Sequence, residues 1–208
     1  RFDMTGNGDS EGQFSETSVD TMLSDIDCAI DHLEQSSGIG RGMGLLGLRF
    51  GAALAALAAA RSHKIDHWVL WEPIVDGAKY MQEMLRVNLT TQSAVYKEIR
   101  HNREALVRMM REGATVNIDG YELAYPCYEQ VSAINLKDGR KQFAGRCLIV
   151  QIGKEGQPIL PDLKTFQGTY TAADLCGVEE EPFWREIKRW YPTASNLFDA
   201  TASRITPR

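Results

Sequence analysis

The sequence predicts an α/β fold: a mostly parallel sheet, helices on both faces, and a helical cap inserted between two of the strands. Three observations carry that expectation. Met43–Leu48, Trp68–Trp71 and Cys147–Gly153 are short, near-continuous apolar runs, the composition of parallel strands buried on both faces. Segments with helical spacing lie between and after them. The second and third runs are separated by a long stretch, residues 74–146, with helix and hairpin signals of its own.

Taken in order, residues 1–3 read as the end of a strand, and Asp3–Gly12 as a loop rich in Gly, Asn, Asp and Ser. Val19, Met22, Leu23, Ile26, Ile30 and Leu33 fall on one face of a helix over 18–35, with Ser18 as N-cap. Gly51–Arg61 is a helix of small residues, which permits close approach to a sheet. Pro73 stops the Trp68–Trp71 strand. In the insertion, 78–112 is mainly helical, and Ala114–Tyr125 alternates around Asp119-Gly120, a strong hairpin signal. Phe183–Tyr191 and Thr193–Ile205 read as C-terminal helices. The expected division is a core of 1–73 and 147–208, with 74–146 as cap or lid over the carboxyl edge of the sheet, where such sheets bind ligands.

Bulk properties exclude several classes. The chain of 208 residues carries a formal charge of −5 and shows no basic stripe, so nucleic acid is not the expected partner. The longest apolar run, 50–60, is about half of the ~20 residues a membrane span needs. Cys28, Cys127, Cys147 and Cys176 are widely spaced, without a C-x-x-C pair. They are expected to be reduced thiols in a cytoplasmic protein rather than zinc ligands. His63 and His67 are four apart but lack a third ligand, and the glycine-rich loop lacks the G-K-[ST] of a P-loop. Neither a metal nor a cofactor is expected.

The chemistry concentrates at Gly47-Leu48-Arg49-Phe50-Gly51. A glycine-bracketed pentapeptide between a strand and a small-residue helix has the layout of a nucleophile elbow, with arginine at its centre. Together with "DMTGNGDSEG" (Asp3–Gly12), the chain resembles the α/β-hydrolase superfamily. More narrowly it resembles the hydrolase-like proteins associated with exosortase systems. The residues behind that likeness are Asp3–Gly12, Gly47–Gly51, Leu70–Pro73, Gly120-Tyr121-x-Leu123 and Pro182-Phe183-Trp184. The resemblance implies an esterase-like acyl hydrolase. It also implies that first strands and an oxyanion-hole loop lie upstream of residue 1, an absence that would leave a sheet edge exposed for a homodimer.

The residues conflict with that activity. A guanidinium has no usable lone pair, so Arg49 cannot attack a carbonyl. It can grip a carboxylate or phosphate, with Phe50 opening the adjacent helix, or pair with an acid such as Glu72. Glu72 and Glu155 are candidate orienting acids. No histidine follows His101, although the fold places its base near the C-terminus. Ser10 and Cys127 are the candidates for a displaced nucleophile, and Ser10, Phe50 and Trp184 the candidate substrate contacts. Three readings follow. The first is a degenerate hydrolase that binds a small anionic or acyl ligand at the Arg49 elbow under the cap. The second is an active ester or thioester hydrolase with displaced residues. The third is a scaffold whose cap presents Met81, Met84, Met109 and Met110.

Overall fold

A computed structural model describes residues 1–38, 42–139, 143–184 and 193–205. They form two compact units, 1–33 with 76–135 and 34–75 with 136–208.

The second unit holds a four-stranded sheet in the order β1-β2-β5-β6, every neighbour parallel: β1 Met43–Leu48, β2 Ile65–Trp71, β5 Arg146–Gly153 and β6 Ala173–Glu179. Parallel neighbours need crossovers, and α2 (Phe50–Ala59) makes the first. Its small side chains are nearly all buried, as close packing on a sheet requires. Alternation along β2 divides the core. On one face Val69 and Trp71 join Leu148, Val150, Ile152, Val178 and, from α7 (Ser195–Ile205), Leu197. There the Trp71 indole Nε1–H donates to the Thr201 hydroxyl at 3.0 Å. On the other face Trp68 stacks on Phe166 of α6 (Pro161–Gln167) and meets Tyr170 edge-on. Helices therefore cover both faces, as expected.

The first unit begins with irregular chain. Residues 1–4 form no strand, which corrects the strand end read at 1–3; the backbone turns at once into the glycine loop. Asp25 of α1 (Val19–Ser37) anchors that loop by accepting the backbone N–H and the hydroxyl of Thr5. Ser18 caps α1 reciprocally with Thr21: its hydroxyl accepts the Thr21 N–H at 3.2 Å, and its N–H donates to the Thr21 hydroxyl at 2.8 Å. Leu33, counted on the apolar face, is half exposed.

The remaining elements are α3 (Gly77–Tyr96), α4 (Arg103–Arg111), α5 (Tyr125–Ser132) and a hairpin of β3 (Val116–Ile118) and β4 (Tyr121–Leu123). Asp76 and Asn102 cap α3 and α4 with their side-chain oxygens. Positive φ at both Asp119 and Gly120 makes the two-residue turn. Buried Gln92 closes the α3–α4 loop, accepting the N–H groups of Arg100 and His101 and donating to the His101 carbonyl.

Two elements of the sheet unit carried no readable signal. Helix α6 has only seven residues, and β6 buries only Val178, its other positions being half-buried or exposed without a regular pattern. Strand β2 also begins three residues before Trp68 and includes His67. The helix expected over 183–191 lies mostly outside the described residues. Helix α7 matches the second C-terminal expectation, beginning at Ser195.

Candidate functional site

The strands β1, β2, β5 and β6 end at Leu48, Trp71, Gly153 and Glu179, which places Arg49, Glu72 and the acids after β6 at one edge of the sheet. Arg49 has φ 54° and ψ −117°. That region is sparsely populated for a side-chain-bearing residue and persists only where surrounding contacts fix it. Here they do. The Arg49 N–H donates to the Trp71 carbonyl at 2.9 Å, and the Arg49 carbonyl accepts from Ala52, Ala53 and Ile74. The sharp turn depends on Gly47. A Cβ there would collide with the Gly51 carbonyl oxygen and the Ala52 Cα. At Gly51, by contrast, an added Cβ meets nothing. The elbow needs one of its two glycines.

The half-buried Arg49 guanidinium lies 5.5 Å from the centroid of the Trp184 ring, a cation–π contact across 135 positions of sequence. Phe183 packs edge-on against Trp184. The structure thus brings Arg49 and Trp184 together, with Phe50 next in the chain as the first residue of α2.

Glu72 also has positive φ, 45°. Its N–H donates to the Val150 carbonyl at 2.7 Å, and its carboxylate accepts the Ile152 N–H at 2.7 Å. The side chain therefore takes over a ladder position that the turning backbone has vacated, and braces β5. Beside it a cleft of about 1170 Å³ is lined by Glu72, Lys154, Glu155, Glu179, Glu180 and Glu181, among others. Five carboxylates against one ammonium make this edge strongly acidic. Glu179 and Glu180 also tie this edge to α7. Glu180 accepts the Asn196 N–H at 3.0 Å at the start of α7, and the Glu179 carbonyl accepts from the Asn196 side chain.

Ser10 lies in the other unit. Its hydroxyl donates to the Asp3 carbonyl at 2.7 Å and closes the glycine loop. Among the thiols, burial raises the pKa of Cys127 and Cys176 and pushes Cys147 up to about 12, with Asp174 adding to the Cys147 shift. These thiols stay protonated at neutral pH and are poor nucleophiles. Cys28 is exposed on α1. His67 lies in β2 toward its amino end, His63 precedes that strand, and His32 and His101 belong to the other unit. The brace role of Glu72 and the Arg49–Trp184 contact escaped the sequence reading. The only signal available was that both residues sit where a strand or motif ends.

No family model and no curated protein matches the chain. Solved structures do. Est1E from Butyrivibrio proteoclasticus with bound ferulic acid superposes with a TM-score of 0.66 at 16% identity, over 98% of this chain and 75% of that one. A putative hydrolase from Agrobacterium vitis gives 0.63 at 15% identity, over 99% and 76%. A monoacylglycerol lipase from Paleococcus ferrophilus gives 0.57 at 16% identity, over 97% and 80%. The chain has the α/β-hydrolase fold. Among the described residues no helix is long and apolar enough to cross a membrane.

Proposed function

We propose that this chain is a degenerate α/β-hydrolase-fold protein that binds a small carboxylate or acyl ligand at Arg49, with 74–146 serving as the cap. The observation that carries this reading is the elbow itself. Arg49 holds the strained φ 54°, ψ −117° geometry, yet its side chain cannot act as a nucleophile. Strain of this kind collects at functional sites. The guanidinium supplies charge-assisted donors, and the Trp184 face beside it suits an aromatic or flat acyl group. Glu72 serves as a positioning residue through its bond to Ile152. The acidic cleft at the same sheet edge disfavours a ligand with a second anionic group, so beyond the end held by Arg49 the ligand is neutral or cationic.

The five ordered motifs favour a place among the exosortase-system-associated hydrolase-like proteins. A cytoplasmic location and a homodimer complete the reading. Strand β1 supports the dimer, since it ends the sheet with Leu46 half exposed.

The test uses ferulate, the molecule bound to the Est1E relative, as an aromatic carboxylate probe. Isothermal titration should show binding that weakens at least tenfold in Arg49→Ala, with an unchanged circular dichroism spectrum. Equal affinity in the two proteins overturns the assignment. A parallel incubation with a fluorophosphonate should leave the intact mass unaltered; a serine adduct would instead establish an active hydrolase.

A further inference from the structure

The opposite edge of the same sheet carries a second cleft, of about 970 Å³, where β2, β5 and β6 begin. Its lining includes Trp68, Arg146, Lys164, Arg204 and Asp174. We propose that this amino-edge cleft binds a small phosphorylated molecule, the phosphate held by Arg146, Lys164 and Arg204 while an acceptor atom of the organic part takes the Trp68 indole N–H.

Two independent observations meet here. The first is an orphan donor. Trp68 is 1% exposed, and among the described residues its Nε1–H has no hydrogen-bond partner. Buried donors are almost always paired, so an unpaired one beside a cleft marks a place where an acceptor is missing. Trp71, three residues along the same strand, has its indole N–H satisfied by Thr201. The second observation is charge. Three cations and one carboxylate line the cleft, in a chain whose overall charge is −5. The excess of two matches a phosphomonoester, which carries nearly two negative charges at neutral pH. Both guanidiniums keep donors to spare. Arg146 uses one N–H on the Ile205 carbonyl, and Arg204 uses one on the Ala200 carbonyl, of five available to each. The volume suits a ligand larger than inorganic phosphate.

The test is a titration of the ¹⁵N-labelled chain at low salt with adenosine monophosphate and with glucose 6-phosphate. The readout is the Trp68 indole resonance, assigned by its loss in Trp68→Phe. At least one probe should move that resonance to saturation. The neutral parents, adenosine and glucose, should bind at least tenfold more weakly, and so should either phosphate probe to Lys164→Gln/Arg204→Gln. Arg49→Gln should bind the probes at this edge as the unaltered chain does, which separates this cleft from the elbow. A resonance that neither probe moves overturns the proposal. So does a shift equally strong with the neutral parents or in the double variant.

Discussion

The two edges of the β1-β2-β5-β6 sheet are built from the same strands yet differ in backbone and in charge. At the carboxyl edge the strands end in strained turns, with Arg49 and Glu72 both at positive φ, and five glutamates surround the cleft. At the amino edge the cleft is lined by residues of β2, β5, β6, α6 and α7 and of the loops joining them, its lining is basic, and the element left without a partner among the described residues is a buried indole N–H. In a parallel sheet all strands point one way, so each edge collects one kind of strand terminus. Here the carboxyl edge carries two backbone positions at positive φ, and the amino edge carries a buried indole N–H that no described residue accepts.

The largest expected effect breaks the carboxyl edge. Gly47→Ala forces a Cβ into the Gly51 carbonyl and should destabilise the chain by about 3 kcal/mol or more, read by denaturant unfolding. Wild-type stability in that variant would mean that the elbow relaxes freely. The next prediction concerns the amino edge. Cys147 and Tyr170 line its cleft, and burial raises both pKa values, that of Cys147 to about 12. The unfolded chain releases these protons first, so the folded state binds more of them above about pH 9. Stability from Cys147 is therefore complete below pH 9 and declines between pH 9 and 12, by up to about 1.4 kcal/mol per pH unit for one proton. Melting curves across that range should show the decline, and Cys147→Ala should flatten it. A decline of equal slope in Cys147→Ala would assign it elsewhere.

A smaller effect compares the two tryptophans. Thr201→Val keeps the shape of the side chain but strands the Trp71 N–H, as the Trp68 N–H already is, and should cost about 1–3 kcal/mol in thermal or chemical unfolding. No loss would show that an orphan indole donor is tolerated here without a penalty. The smallest concerns the second elbow glycine. Gly51→Ala adds a methyl into open space on a helix and should be neutral or stabilise by up to about 1 kcal/mol. Marked destabilisation would return Gly51 to the role the motif implied.

Much of the sheet unit was legible because strands buried on both faces must be apolar throughout. Cys147–Gly153 shows this, whereas Met43–Leu48 is as apolar although it is an edge strand with Leu46 half exposed; the small-residue helix and the Asp119-Gly120 turn are equally local signals. Strand β6 was not legible. It is a sheet edge with Asp174, Gly177 and Glu179 among its seven residues, so burial never imposed a pattern on it. At the candidate site, Arg49 was visible from the elbow motif. Its contact with Trp184 and the bond from Glu72 to Ile152 join positions 135 and 80 residues apart, and pairing of that range leaves no trace in local composition. The glycine motif misled at Gly51, because two identical residues in one pentapeptide face different neighbours.

The distribution of thiols along the chain has a practical chemical consequence. Cys127 and Cys147 are buried, Cys176 is half-buried, and burial raises the pKa of all three, whereas Cys28 is exposed on α1. Maleimide near neutral pH should therefore alkylate position 28 first, giving a site-specific fluorophore or spin label on the native sequence with no cysteine replaced.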